Sequence, residues 1–369
     1  MTIDYENLKK ANEPFFKEYM AAFQATAESG WYVLGKQVAQ FEADFAQRCN
    51  RKFGIGLASG LDALYLGLLS LDLPQGSEVI VPANTYIATI LAIINAGHKP
   101  VLVEPDPRTY NIDPKRILEA LTKKTRAIML VHLYGKVCDM DPILSIAKDA
   151  KLAVLEDVAQ AHDARYKGRP AGSFGEAGAF SFYPTKNLGA LGDAGALLVD
   201  DEALANKVRA LRNYGSFKKY VNIYRGVNSR LDEVQAAFLN IKLAHLSAIT
   251  LHKRALADIY DAHLSGGFIK PVRHPDFEDV FHIYNIRHPK RDALKAYLQE
   301  NGIGTEIHYP IAPHKQEAMK GILDSYDGKL PITEEIHATT LSLPISFAHT
   351  TKEVERVVEV LNDWAKTKA

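Results

Sequence analysis

The chain has 369 residues, with 44 Lys and Arg against 44 Asp and Glu, so its formal charge is zero. Without a basic excess it lacks the electrostatic footprint of a nucleic-acid or anionic-membrane binder, and 47% hydrophobic with 24% charged residues excludes a disordered or fibrous chain. Two cysteines, Cys49 and Cys138, share no C-x-x-C or Cys/His spacing, which excludes a disulfide scaffold and most zinc folds. No apolar run approaches the roughly 18 residues of a membrane span. The start, Met1 to Glu6, has neither the basic nor the apolar stretch of a signal peptide. A cytoplasmic protein is the expectation, acting on a small molecule or pairing with another copy of itself.

The length suits one large domain with a smaller one attached. In chain order, short apolar runs fall at 53–57, 78–81, 100–103, 127–131 and 152–155, with helical patterns between them. Continuous runs alternating with helices predict a mainly parallel sheet covered on both faces. Runs at 178–182 and 195–199 read as further strands. Near residue 230 the period changes. Leu231, Val234, Phe238, Ile241, Leu246 and Ile249 recur at mostly three- and four-residue steps, predicting a long amphipathic helix to about residue 263. Ser229-x-x-Asp232 reads as its capping box, and 264–267 as its end. The expected division is a large α/β domain over 1–250, with an N-terminal arm, and a small α+β domain over 251–369.

Ligands of open parallel sheets bind beyond the carboxyl ends of the strands. Those ends carry Ser59-Gly60, Asn84-Thr85-Tyr86, Glu156-Asp157 with Gln160, and Ser181 to Lys186. Ser59-Gly60-Leu61-Asp62 opens a helix, where free amides and a glycine can cradle an anion. The segment misses G-x-G-x-x-G, and no P-loop motif occurs. Lys186 follows a buried strand and precedes the glycine-rich Asn187-Leu188-Gly189-Ala190-Leu191-Gly192-Asp193, unusual company for a surface lysine. Pyridoxal phosphate needs an amine, a carboxylate for its pyridinium nitrogen, a phosphate cradle and an aromatic face. Lys186, Asp157, Ser59-Gly60 with Ser181, and Tyr86 supply one of each.

Three ordered runs carry a resemblance. They are Asp157-Val158-Ala159-Gln160-Ala161-His162, the run from Ser181 to Asp193, and Gly226 to Ala237. The chain resembles the DegT-type nucleotide-sugar aminotransferases, pyridoxal-phosphate enzymes of the aspartate-aminotransferase fold, from Gly30-Trp31-Tyr32-Val33-Leu34-Gly35 to Thr305-Glu306-Ile307-His308-Tyr309-Pro310. The resemblance implies that Lys186 is the Schiff-base lysine, Asp157 the pyridinium partner, Gln160 a neighbour of the ring hydroxyl and Tyr86 the stacking residue. It assigns Ser181 and the Gly60-Leu61 amides to the phosphate, and Asn228 to the cofactor phosphate of a neighbouring subunit. Two positions depart from the pattern: Leu61 replaces a threonine, and Asp163 replaces a glycine.

Among the C-terminal histidines no spacing fits a metal site, so no metal is expected. His308 and Tyr309 fall in a segment that lines the family's sugar site, and Tyr183 adjoins the lysine. Arg230, Lys218 and Lys219 are candidates for a substrate diphosphate. The resemblance implies a homodimer with shared sites, using pyridoxal and pyridoxamine phosphate to move an amino group from L-glutamate to a keto-sugar nucleotide. The turn after Lys186 resembles the branch that aminates carbon 3 of dTDP-linked 6-deoxy sugars, with UDP-linked 3-keto and 4-keto sugars as alternatives. A sugar dehydratase of this scaffold would carry histidine at 186. A non-catalytic regulatory protein would tend to lose Lys186 or Asp157.

Overall fold

The seven apolar runs become one sheet, with strands Phe53–Leu57, Glu78–Pro82, Lys99–Val103, Thr125–Val131, Ala153–Asp157, Ala177–Ser181 and Gly195–Val199. The computed structural model describes residues 2–368. Across the sheet the strands starting at Phe53, Gly195, Ala177, Ala153, Thr125, Glu78 and Lys99 lie side by side in that order. Neighbours are parallel except on either side of Gly195–Val199. The reason lies in the connections. A parallel pair needs a crossover of about a dozen residues or more, usually a helix, whereas an antiparallel pair can be joined directly. Residues 182–194, which carry Lys186, make that direct return, pairing Ser181 with Gly195.

Successive side chains alternate between the two faces. Ile128, Leu130, Phe180 and Leu198 pack with Phe41 and Phe45 on one face. Ala127, Met129, Leu197 and Val199 pack with Leu66 and Ile90 on the other. Helix Gly60–Ser70 covers the second face and helix Lys36–Arg48 contributes to the first. A further core forms in the C-terminal part, where Tyr284–Arg287 pairs antiparallel with Thr340–Leu343. Tyr260, Tyr284, Leu294, Leu298, Leu341 and Leu361 fill it.

The long helix spans Glu233–His263 without a break and contributes to the core on the first face of the sheet and to the C-terminal core. By length and mean hydropathy, 1.3 over its most apolar window, it could cross a membrane, yet half of that window is buried inside the protein. Its start differs from the expected capping box. Asp232 occupies the cap position without a side-chain bond. Ser229 turns away, its hydroxyl accepting the Ala58 amide at 3.1 Å and donating to Asp62 Oδ2 at 2.8 Å. Glu233 instead caps a different helix: its carboxylate accepts the amides of Gly35, Gln37 and Val38 at 2.7–3.0 Å. Those amides begin Lys36–Arg48 and have no intrahelical acceptor, so a buried carboxylate satisfies them and complements the helix dipole.

Glu156 is fully buried beside the site and has a structural task. It accepts bonds from the amides of Gly172, Phe174 and Gly175 at 2.8, 2.6 and 2.8 Å, and pairs with His132 Nε2 at 2.9 Å. Burial alone would raise its pKa; the His132 hydrogen bond and charge, with Arg51, carry it below the usual carboxylate value instead. Glu156→Ala leaves three buried amides and His132 without their acceptor, and should cost about 3–5 kcal/mol in urea unfolding. Because its pKa is depressed in the folded state, this contribution is present at neutral pH and lost as pH falls through the carboxylate range.

Candidate active site

Strand Phe53–Leu57 delivers Ser59 to the carboxyl edge of the sheet, where it caps helix Gly60–Ser70 by accepting the Asp62 amide at 3.1 Å. The Gly60 and Leu61 positions then line a cavity of about 380 Å³. Glycine is required at 60 because a Cβ there would meet Ser181 Cβ at 2.6 Å. Gly195 is needed for the same contact, since its Cβ would lie 2.3 Å from the Ser59 carbonyl. Helix N-terminus and sheet edge thus close on one another. The first amides of the helix have no partner within it and carry partial positive charge, which suits a phosphate.

Asp157 ends strand Ala153–Asp157 on the same rim. The Thr89 hydroxyl donates to its Oδ2 at 2.8 Å, and the Ala159 amide to its Oδ1 at 3.1 Å. Thr89 is itself bonded to the Thr85 hydroxyl at 2.8 Å. Burial pushes the Asp157 carboxyl above its usual pKa against these bonds and the nearby Lys186. Lys186 lies in the return from Ser181 to Gly195, with its amide donating to the Tyr183 carbonyl at 2.8 Å. Burial pushes its amine down to about 8, and attraction to Asp157 opposes that only in part. Near neutrality a usable fraction of the amine is therefore unprotonated.

Gln160 is oriented at both ends. Its Oε1 accepts the Tyr134 amide at 2.7 Å, and its Nε2 donates to Tyr309 Oη at 2.8 Å. Tyr86 stands half exposed at the cavity mouth, its ring 5.2 Å from that of Tyr309. Tyr183 and His308 line the same space. Burial pushes His308 down to about 4, so it is neutral at physiological pH, with Nδ1 2.8 Å from the Ser342 hydroxyl.

The cavity therefore brings together Ser59, Gly60, Leu61, Tyr86, Asp157, Gln160, Ser181, Tyr183, Lys186, His308 and Tyr309. Asn228, Arg230 and Lys219 lie outside it. Asn228 is exposed and bridges Asn213. Arg230 donates to Asn213 Oδ1 at 2.8 Å and stacks on Tyr214. Lys219 sits on an exposed hairpin formed by Ser216–Lys218 and Val221–Asn222.

These residues fit pyridoxal phosphate. A helix start suits its phosphate, Asp157 suits a cationic ring nitrogen, and Lys186 suits its aldehyde. Residues 15–362 match the model of the DegT/DnrJ/EryC1/StrS aminotransferase family. The chain belongs to this family. It is a sugar aminotransferase of the pyridoxal-phosphate class. Its sequence is 51% identical over 363 residues to the dTDP-3-amino-3,6-dideoxy-alpha-D-galactopyranose transaminase of Aneurinibacillus thermoaerophilus, covering 98% of this chain and 99% of that one. The crystal structure of S. venezuelae DesV, in complex with a ketimine intermediate, superposes with a TM-score of 0.96 at 42% identity and full coverage of both chains. NtdA from Bacillus subtilis, with bound PMP, gives 0.93 at 32% identity, covering 99% of this chain and 86% of that one.

Two further residues stand beside these groups, Thr89, which the sequence did not single out, and His282, which it placed among packing histidines. Thr89 carries a signal in hindsight: it lies four positions after Thr85, one helical turn inside a helix that begins at the rim. His282 lines the cavity, although its sequence neighbourhood reads as packing. The Asp163 departure also has an explanation. Its φ is +72°, a conformation that glycine and, less readily, aspartate adopt, and Arg48 holds its carboxylate at 2.8 Å.

Proposed function

We propose that this aminotransferase moves the amino group of L-glutamate to carbon 3 of a dTDP-linked 3-keto-6-deoxyhexose, giving a dTDP-3-amino-3,6-dideoxyhexose. The observation that carries the chemistry is a cavity holding Lys186, its amine lowered to about 8, with the buried Asp157 and a helix N-terminus. The 51% identical relative, named for a dTDP-3-amino-3,6-dideoxy sugar, supports the choice of sugar.

In this reading the amides of Gly60 and Leu61, with Ser59 and Ser181, hold the cofactor phosphate. Asp157 holds a proton on the ring nitrogen, Gln160 attends the ring hydroxyl, and Tyr86 covers a ring face. Bound pyridoxal phosphate supplies an electron-accepting ring and a carbon that takes up and releases the amine. Lys186 Nζ accepts the proton leaving the donor α-carbon, and reverses that transfer when the sugar is aminated. Tyr183, His308 and Tyr309 shape the sugar side of the cavity, and their aromatic faces exclude water from the reacting carbon. The decisive assay offers dTDP-linked 3-keto and 4-keto 6-deoxyhexoses with glutamate and locates the new amine by NMR. Amination at carbon 3 is expected; amination at carbon 4 alone overturns the sugar assignment and leaves the cofactor chemistry standing.

The working unit in this reading is a homodimer whose partner supplies Asn228, Arg230 and Lys219 to each site. Support comes from their position outside the chain's own cavity, beside a hairpin on which Tyr220 is 87% exposed. Phe217, Val221 and Ile223 are exposed beside it, and a contiguous apolar patch marks an interaction surface. Mixing inactive Lys186→Ala and Asn228→Ala chains should restore one working site per mixed dimer, about a quarter of parent activity after full subunit exchange. No gain after verified exchange would refute sharing.

A further inference from the structure

Behind Lys186 lies a buried cation that the proposed chemistry does not use. Lys253, on the helix Glu233–His263, is only 3% exposed. Its Nζ donates to Asn187 Oδ1 at 2.8 Å and to the His282 carbonyl at 3.2 Å. Asn187, itself 4% exposed, directly follows Lys186 and donates its Nδ2 to the Val280 carbonyl at 3.0 Å. One amide side chain thus pins the lysine turn to the long helix and to the 280–282 segment. His282, whose carbonyl takes part in the clamp, lines the cavity. Glu6, from the N-terminal arm, supplies the negative charge that keeps an ammonium tolerable here.

We infer that Lys253 and Asn187 are a positioning pair for Lys186, Asn187 holding the turn and Lys253 holding Asn187 in place. The inference rests on the reading of Lys186 as the amine that binds the cofactor.

An isolated buried lysine would be a costly way to fill this space, because an apolar side chain of similar volume fills it without desolvating a charge. The clamp accounts for its presence. Other groups face Lys186 from several elements: Asp157 from its strand, His162 from the following loop, His282 and His308 from the C-terminal part. Asp193 lines the same cavity. Burial holds the three histidines below their usual values, to about 3 for His162 and about 4 for His308, so they are neutral at pH 7. Asp157 attracts the protonated amine of Lys186, whereas Lys253 and Lys186 repel when both carry protons. Lys242, farther along the same buried network, shares Glu6 with Lys253. Burial brings Lys253 down to about 8 as well.

The test uses apo-protein and pyridoxal 5'-phosphate, following covalent capture by absorbance and fixing the linkage with borohydride. Capture joins the amine nitrogen to the aldehyde carbon and releases water. In the parent, the capture rate should rise with pH through an inflection near 8, the value to which the Lys186 amine is lowered. Lys253→Met removes the donor that holds Asn187, so capture should slow several-fold while the inflection stays near 8, the value that burial sets for Lys186. Lys253→Arg keeps a donor for Asn187 and should restore the capture rate. Asn187→Ala keeps the cation but frees the turn, and should slow capture several-fold across the whole range. This second variant stands in if Lys253→Met does not fold by circular dichroism. Unchanged capture profiles in folded variants would overturn the positioning pair. Reduced cofactor appearing on another lysine in Lys186→Ala would instead overturn the reading of Lys186.

Discussion

Lys186→Ala should leave a folded protein whose amino transfer is about 10⁴-fold slower or worse, the scale on which removal of a reacting group is felt. The amine is proposed both to bind the cofactor and to carry protons at the reacting carbon, so one substitution removes both roles. No neighbour among the described residues is placed to substitute. Lys242 and Lys253 are also lowered to about 8, yet both belong to the buried network of the long helix, and Lys253 is committed to Asn187 and the His282 carbonyl. The proposed phosphate cradle and Asp157 remain, so cofactor should still bind without its covalent link. Loss of the visible absorption band, retention of the far-ultraviolet spectrum and a coupled turnover assay check this together. Turnover near the parent rate would remove Lys186 from the mechanism.

Asp157→Asn tests the other half of the pair. Asparagine keeps the shape and can keep one of the bonds from Thr89 and Ala159, but it cannot hold a proton on a ring nitrogen. The expected loss is about 4 kcal/mol of transition-state stabilisation, or ~10³ in kcat. Cofactor affinity should fall less, about tenfold, because the proposed phosphate cradle at Gly60, Leu61 and Ser181 is untouched. The separation of the two effects is the diagnostic, read from kcat and from a cofactor titration. Equal losses would make Asp157 a binding residue only.

Much of this site was legible before folding because its signals are local. Buried strands announce themselves as apolar runs, and the carboxyl ends of those runs name the rim. Ser59-Gly60, Tyr86, Asp157, Ser181 and Lys186 were all found by reading those ends. Ser229 shows where local reading fails. Its spacing to Asp232 suits a capping box, but Asp62 and the Ala58 amide, remote in sequence, compete for the hydroxyl and win. Glu233, one residue inside the helix, likewise serves amides nearly two hundred positions away, at 35–38.

By itself the sequence determined the seven strands, the long helix to His263, and the set of side chains delivered to one edge of the sheet. Those follow from periodicity and turn chemistry, which act over a few residues. Only the tertiary structure decided that Thr89 reaches Asp157, that Gly60 passes close over Ser181, and that Lys253 grips Asn187. It also decided that Asn228, Arg230 and Lys219 stay outside the chain's own cavity. The physical reason is that a buried polar atom takes whichever partner packing brings within hydrogen-bond reach, and packing joins segments whose sequences carry no sign of one another.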